Sequence, residues 1–169
     1  MFDYIYGILN DKEYKEKYKV FLEMDFPRVP YPENIDTFFE TARKGEILRH
    51  LHLMEIADTS KYTCIDFSNI DLDIILRGDK AGEDKIENVK FEPVENLKIK
   101  SIYGEIQACR VWINKFQYFV IPEFLWDYKI GSYRPVAEYL KKRKDRILTT
   151  EEQNHFERIC RVVVVSENF

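Results

Sequence analysis

The stretch from Trp112 to Arg146, WINKFQYFVIPEFLWDYKIGSYRPVAEYLKKRKDR, leaves the chain little choice of local structure. Asn114-Lys115, between Ile113 and Phe116, predicts a hairpin turn feeding the alternating strand FQYFV. Pro122 predicts the start of a short helix carrying Leu125, Trp126 and Tyr128. A Gly131-Ser132 turn follows. Pro135 then opens a helix with Val136, Tyr139 and Leu140 inward, because proline's fixed φ suits the first helical position. Both tryptophans lie in this stretch. Trp112, Phe119, Leu125, Trp126, Val136 and Leu140 are expected to pack and hold it rigid.

The flanking sequence extends this pattern. From Asn88, VKFEPV and LKIKSIYGEIQACRVWI alternate with period 2, which predicts strands of a small antiparallel sheet. Pro93 lacks an N–H for the ladder and places the first strand at an edge. Thr149-x-x-Glu152 is a capping box for a last helix with Phe156, Ile159, Cys160 and Val163 on one face.

The N-terminal half reads as helical. Phe2, Ile5, Tyr6 and Leu9 recur at helical spacing. Asn10 with Glu13 predicts the cap of a second helix, with Tyr14, Tyr18, Phe21 and Leu22 on one side, which Pro27 stops. DFPRVPYP, Asp25 to Pro32, holds three prolines in six residues and predicts a stiff connector. Pro32 or Glu33 opens a further helix with an apolar stripe through Ile35, Phe38, Phe39, Ala42, Leu48, Leu51 and Met54. Gly45 on that helix is where another helix is expected to approach closely. Residues 58–87 hold eight acidic and four basic residues, with LDIIL, Leu72 to Leu76, as a short strand. The expected fold class is α+β in a single domain: a helical N-terminal half, a small antiparallel sheet with a hairpin, then C-terminal helices.

At 169 residues and 45% hydrophobic, the chain can bury a core. Cys64, Cys109 and Cys160 are scattered and odd in number, as expected of reduced thiols rather than a disulfide frame or a zinc site. No apolar run approaches the ~18 residues of a membrane span, and no signal pattern opens the chain. A soluble, cytoplasmic protein without membrane contact is expected. Net charge is −4, yet residues 129–146 carry seven basic against two acidic side chains. This segregation points to an anionic partner that the net charge conceals.

Catalytic signatures are missing. There is no Pro-Pro-aromatic or GxG loop for base methylation, no GxxxxGK[ST] phosphate loop, and no HExxH, GxSxG or Cys/His nucleophile pattern. Asp73, Glu83 and Lys85 have an acid-then-Glu-x-Lys spacing suited to a divalent cation, and Asp3, Glu13 and Lys15 repeat it. The first set lies in a Gly-bounded polar loop and the second on helices, so both read as solvated charge. His50 and His52, two apart on a helix, point to different faces and make poor co-ligands. No cofactor and no metal are expected.

The basic stretch is more specific. Lys129, Ser132, Tyr133 and Arg134 sit on the turn, and Lys141, Lys142, Arg143 and Lys144 are expected to wrap around most of a turn of the following basic helix, with Arg146 beyond them. A Gly-Ser turn offers backbone N–H groups to a phosphate while Lys and Arg neutralise it. Asn114 and Gln117, at the hairpin, are residue types that read adenine bidentately in a groove. A helix end simply solvated by its cations is the alternative these residues leave open.

Three stretches resemble the C-terminal specificity (target-recognition) domain of type ISP restriction-modification enzymes, which are also adenine-specific DNA methyltransferases. FDYIYGIL with YKEKYKVFLEMDFPRVPYP (Phe2 to Pro32) is similar to the segment leaving the methyltransferase domain. FFETARKGEILRHLHLME (Phe38 to Glu55) is similar to the connecting helix. VWINKFQYFVIPEFLWDYKIGSYRPVAEYLKKRKDRILTTEEQNHFERI (Val111 to Ile159) is similar to the recognition core with its Tyr-x-Ile-Gly-[Gly/Ser]-Tyr turn. The 58–87 segment carries no part of this resemblance, and RVVVVSENF departs from the family's longer charged helix, which predicts a truncated or frayed tail.

The resemblance implies a helical connector with a proline-rich link over 1–57, an acidic variable insertion over 58–88, and the target-recognition core over 89–169. It implies a non-catalytic domain whose partners are double-stranded DNA and an upstream N6-adenine methyltransferase domain. Two other readings stay open: a protein-docking module without DNA contact, and an enzyme with an unfamiliar site.

Overall fold

The computed structural model describes residues 1–55, 76–78, 85–101, 104–130 and 132–168. Within it two compact units are distinguished, Met1–Ile65 with Val165–Phe169, and Asp66–Val164. The class is α+β, as expected.

The first unit is helical. Helix α1 (Phe2–Asn10) buries Tyr4 and Gly7. Helices α2 (Lys12–Lys17) and α3 (Lys19–Met24) replace the one continuous helix expected there, the break falling at Tyr18. The cap of α2 is Asp11 rather than Asn10: its carboxylate accepts the Tyr14 N–H at 2.8 Å, while the Asn10 amide donates back to the Tyr6 carbonyl. Helix α4 (Ile35–His52) starts later than either Pro32 or Glu33, because Asn34 accepts the Thr37 N–H and caps it.

Gly45 is buried against α1, where a Cβ would strike the Asp3 carbonyl oxygen and press on the Gly7 amide. The connector between α3 and α4 is held by side chains of the preceding helices. Tyr14 donates to the Arg28 carbonyl at 3.0 Å and Tyr4 to the Pro30 carbonyl at 2.9 Å.

The second unit holds the antiparallel sheet, in the order β1-β4-β3-β2. Its strands are β1 (Leu76–Gly78), β2 (Lys90–Ser101), β3 (Gly104–Trp112) and β4 (Gln117–Pro122). Leu76 is the one residue of the expected LDIIL strand that lies within the described residues, and it opens β1. Strand β2 lies at an edge, as Pro93 requires, and its register with β3 shifts between Pro93 and Lys98.

Phe91, Val111 and Phe119 are register neighbours and share one face of the sheet. On that face Phe91 stacks on Trp126 of α5 (Phe124–Asp127), and Phe119 packs on Phe156 of α7 (Thr150–Asn168). Helix α6 (Pro135–Lys141) buries Val136, Ala137, Tyr139 and Leu140, with Pro135 in the first turn.

Helix α7 opens with the expected capping box. Thr149 Oγ1 accepts the Glu152 N–H and a Glu152 carboxylate oxygen accepts the Thr149 N–H, each at 3.2 Å. Instead of fraying, α7 runs to Asn168 and buries Val162, Val163, Val164 and Val165. Burial of branched apolar side chains offsets their lower helix propensity. No helix among the described residues is long and apolar enough to cross a membrane.

Candidate nucleic-acid interface

Tertiary structure joins the turn at 129–134 to the end of α6. Ile130 and Tyr133 exchange backbone hydrogen bonds, at 2.8 Å from the Ile130 N–H and 3.1 Å from the Tyr133 N–H. The Tyr133 N–H is therefore spent inside the turn, and Gly131 lies outside the described residues. What this turn presents is the exposed Lys129, Ser132 and Tyr133 side chains. Arg134 precedes α6 and pairs with Asp127 at 3.3 Å. The Lys142 ammonium sits 5.1 Å from the centre of the Tyr133 ring, which bridges the turn to the residues after α6.

The basic run is mostly not helical. Helix α6 ends at Lys141, Lys142 is its C-cap, and the chain turns through Arg143, Lys144 and Asp145. Asp145 adopts a positive φ of 64° and donates its N–H to the Ile86 carbonyl at 2.7 Å, which pulls the chain off the helical path. The cations consequently fan out over a turn instead of wrapping a helix.

They are unequally engaged. Lys141 lies 5.7 Å from the Trp126 ring and remains exposed. Lys129 and Lys144 are exposed and form no ion pair among the described residues. Arg143 lies flat on Tyr139, 3.5 Å from the ring centre, and donates through Nε to Glu152 and through Nη1 to the Tyr139 carbonyl. Arg146 donates to the same Glu152 oxygen at 2.7 Å while 60% of its side chain stays exposed. The Thr149 N–H bond foremost, opposed by burial and aided by Arg146 and Arg143, holds the Glu152 carboxyl below the usual range.

Asn114 and Gln117 are arranged differently from groups presented to a groove. Gln117 is only 6% exposed, and its side-chain oxygen accepts from Asn114 at 2.8 Å. Asn114 also donates to the Lys85 carbonyl and accepts the Phe116 and Gln117 N–H groups, so its amide builds the turn.

Trp112, expected to pack and hold the stretch rigid, does so half-buried on the other sheet face. It packs 4.6 Å from Tyr118, and its indole N–H donates to Glu92 at 2.6 Å. Arg110 stands over the Tyr118 ring at 5.2 Å with a buried Nε that lacks an acceptor among the described residues. Sequence reading missed this cluster because alternation identifies two faces without saying which one the helices cover.

Of the metal-like spacings, Asp73 and Glu83 lie outside the described residues, and Asp3 is bound by Arg49 at 2.6 Å. His52 bridges the Tyr6 hydroxyl and Ser166, and His50 pairs with Glu55.

The family model described as Type ISP C-terminal specificity domain matches residues 1–163. The chain belongs to this family. No curated protein matches it. Two solved structures share the fold of this specificity domain at 16% identity. One is a nuclease-deletion mutant of the type ISP restriction-modification enzyme LlaGI in complex with a DNA substrate mimic. Its TM-score is 0.57, with 99% of this chain and 13% of that chain covered. The other is the ATP-dependent type ISP restriction-modification enzyme LlaBIII bound to DNA. Its TM-score is 0.55, with 98% and 10% covered. The specificity domain thus spans a small fraction of either enzyme's length. Its family match includes the turn, α6 and the capping box of α7, the elements that gather the cations.

Proposed function

We propose that this specificity domain recognises a short sequence in duplex DNA and positions an upstream N6-adenine methyltransferase on it, without carrying out chemistry itself. The observation that carries the reading is the Lys142–Tyr133 contact, which merges the 129–134 turn and the end of α6 into one exposed cationic surface. Lys129, Arg134, Lys141, Lys142, Lys144 and Arg146 bind phosphates and set register, while Ser132 and Tyr133 reach base edges or sugars. Asn114, Gln117 and Arg143 serve the same surface from behind by holding the hairpin and the turn in shape.

Residues 89–169 form the recognition core in this reading, 58–88 vary the surface, and 1–57 connect to the methyltransferase. Phe26 and Tyr31, 91% and 95% exposed on the tethered connector, support a protein contact there.

Duplex binding by the 169-residue chain is expected to weaken steeply with salt. Replacing Arg134 and Lys142 together by alanine is expected to reduce the log–log salt slope by about two. An unchanged slope would remove this surface from the DNA contact.

A further inference from the structure

A second cationic site lies between the end of α6 and the first turns of α7. There Arg143, Asn154, His155 and Arg158 border an open hollow of about 540 Å³, with Glu151 and Glu152. Glu152 is occupied: its carboxylate takes hydrogen bonds from Arg143, Arg146 and the Thr149 N–H. Arg143 is held on three sides, by the Tyr139 ring, by Glu152 and by the Tyr139 carbonyl. A guanidinium has five N–H donors. Its bonds here use Nε and Nη1, so the Nη2 pair has no acceptor among the described residues.

Arg158 is exposed, and its side chain has no ion pair or hydrogen bond among the described residues. The His155 ring packs 5.4 Å from Tyr139 and borders the same space. Only the exposed Glu151 adds a carboxylate that no cation among the described residues engages.

A guanidinium already immobilised loses little entropy on gripping an anion, and its planar fork matches phosphate oxygens. We propose that this hollow is a second phosphate-binding station for duplex DNA, with Arg158 and the unspent Nη2 edge of Arg143 as its donors. The station rests on the DNA reading above and extends it from the 129–146 stretch onto α7. Arg158 thereby becomes a backbone-contacting residue twelve positions beyond that stretch. Its contacts add affinity and register but no base preference.

Fluorescence anisotropy of the full chain with a mixed-sequence duplex, between about 50 and about 200 mM salt, tests this. Arg158→Ala is expected to weaken binding roughly 3- to 10-fold and flatten the log–log salt slope by about 0.9, with Arg158→Lys retaining the slope. Glu151→Gln is expected to tighten binding by about 3-fold by removing the opposing charge. Both side chains are exposed, and circular dichroism of each variant verifies an intact fold. Wild-type affinity and slope in both Arg158→Ala and Glu151→Gln would overturn the station and leave the DNA reading standing. A wild-type chain that binds no duplex throughout this range would overturn the DNA reading and the station with it.

Discussion

A Cβ on Gly45 has no room between the Asp3 carbonyl and the Gly7 amide, so α1 and α4 meet there backbone to backbone. Gly45→Ala is expected to destabilise the first unit by about 2 kcal/mol or more, because a rigid backbone rather than a flexible side chain must yield. The urea midpoint measures it, with an unchanged m-value showing that the folded state still forms. The glycine's role was legible, since a small residue amid an apolar helical stripe signals close approach; its partner on α1 was not.

The two described cysteines yield a chemical prediction. Burial foremost pushes the Cys109 thiol up to about 12, and burial likewise raises Cys160. Thiolate is the reactive form. Both are expected to stay unlabelled by a thiol reagent near pH ~8 in the folded chain and to label in denaturant, as peptide mass spectrometry reads out.

Hairpin and helix ends decide how the cations are displayed. Asn114 donates or accepts four hydrogen bonds within the β3–β4 turn and to Lys85. Asn114→Ala is expected to cost about 1–3 kcal/mol, since it removes four hydrogen bonds at a part-buried turn. A thermal melt checks this. An Asn-Lys pair between alternating segments announced the turn. It did not say that the amides would be consumed in making it, because Lys85 lies 29 residues away. Helix limits were similarly half legible. Thr149-x-x-Glu152 is a local pattern and marked α7 correctly, whereas adjacent Asn10 and Asp11 are both capping types and only backbone geometry chose Asp11. The end of α6 turned on Asp145 meeting Ile86, a contact between distant parts of the chain.

Stability across the molecule should depend on pH through both units. In the first, His52 is held below its ordinary 6.5, by burial foremost and then by Lys15. The unfolded chain therefore takes this proton first, so stability is full above about 6.5 and falls as pH drops through the depressed folded value. In the second, Glu152 has a depressed folded value, so its contribution is present above the ordinary carboxylate range and is lost as pH falls through that folded value. The melting temperature is expected to decline on acidification from about pH 7, in an earlier histidine step and a later carboxylate step. His52→Gln should remove the first step alone, and a melt series at graded pH distinguishes the two.

From the chain alone came the α+β class, the edge position of β2, the capping box, the inward face of α6 and the cationic stretch. Each follows from periodicity, proline geometry or capping among near neighbours, interactions that act over a few residues. Tertiary structure alone decided which side chains already have partners: Asn114 and Gln117 on their turn, Arg143 and Arg146 each through part of the guanidinium on Glu152, and the Tyr133 ring beneath Lys142. A side chain's availability depends on the partners that folding brings to it, and those partners come from elsewhere in the chain.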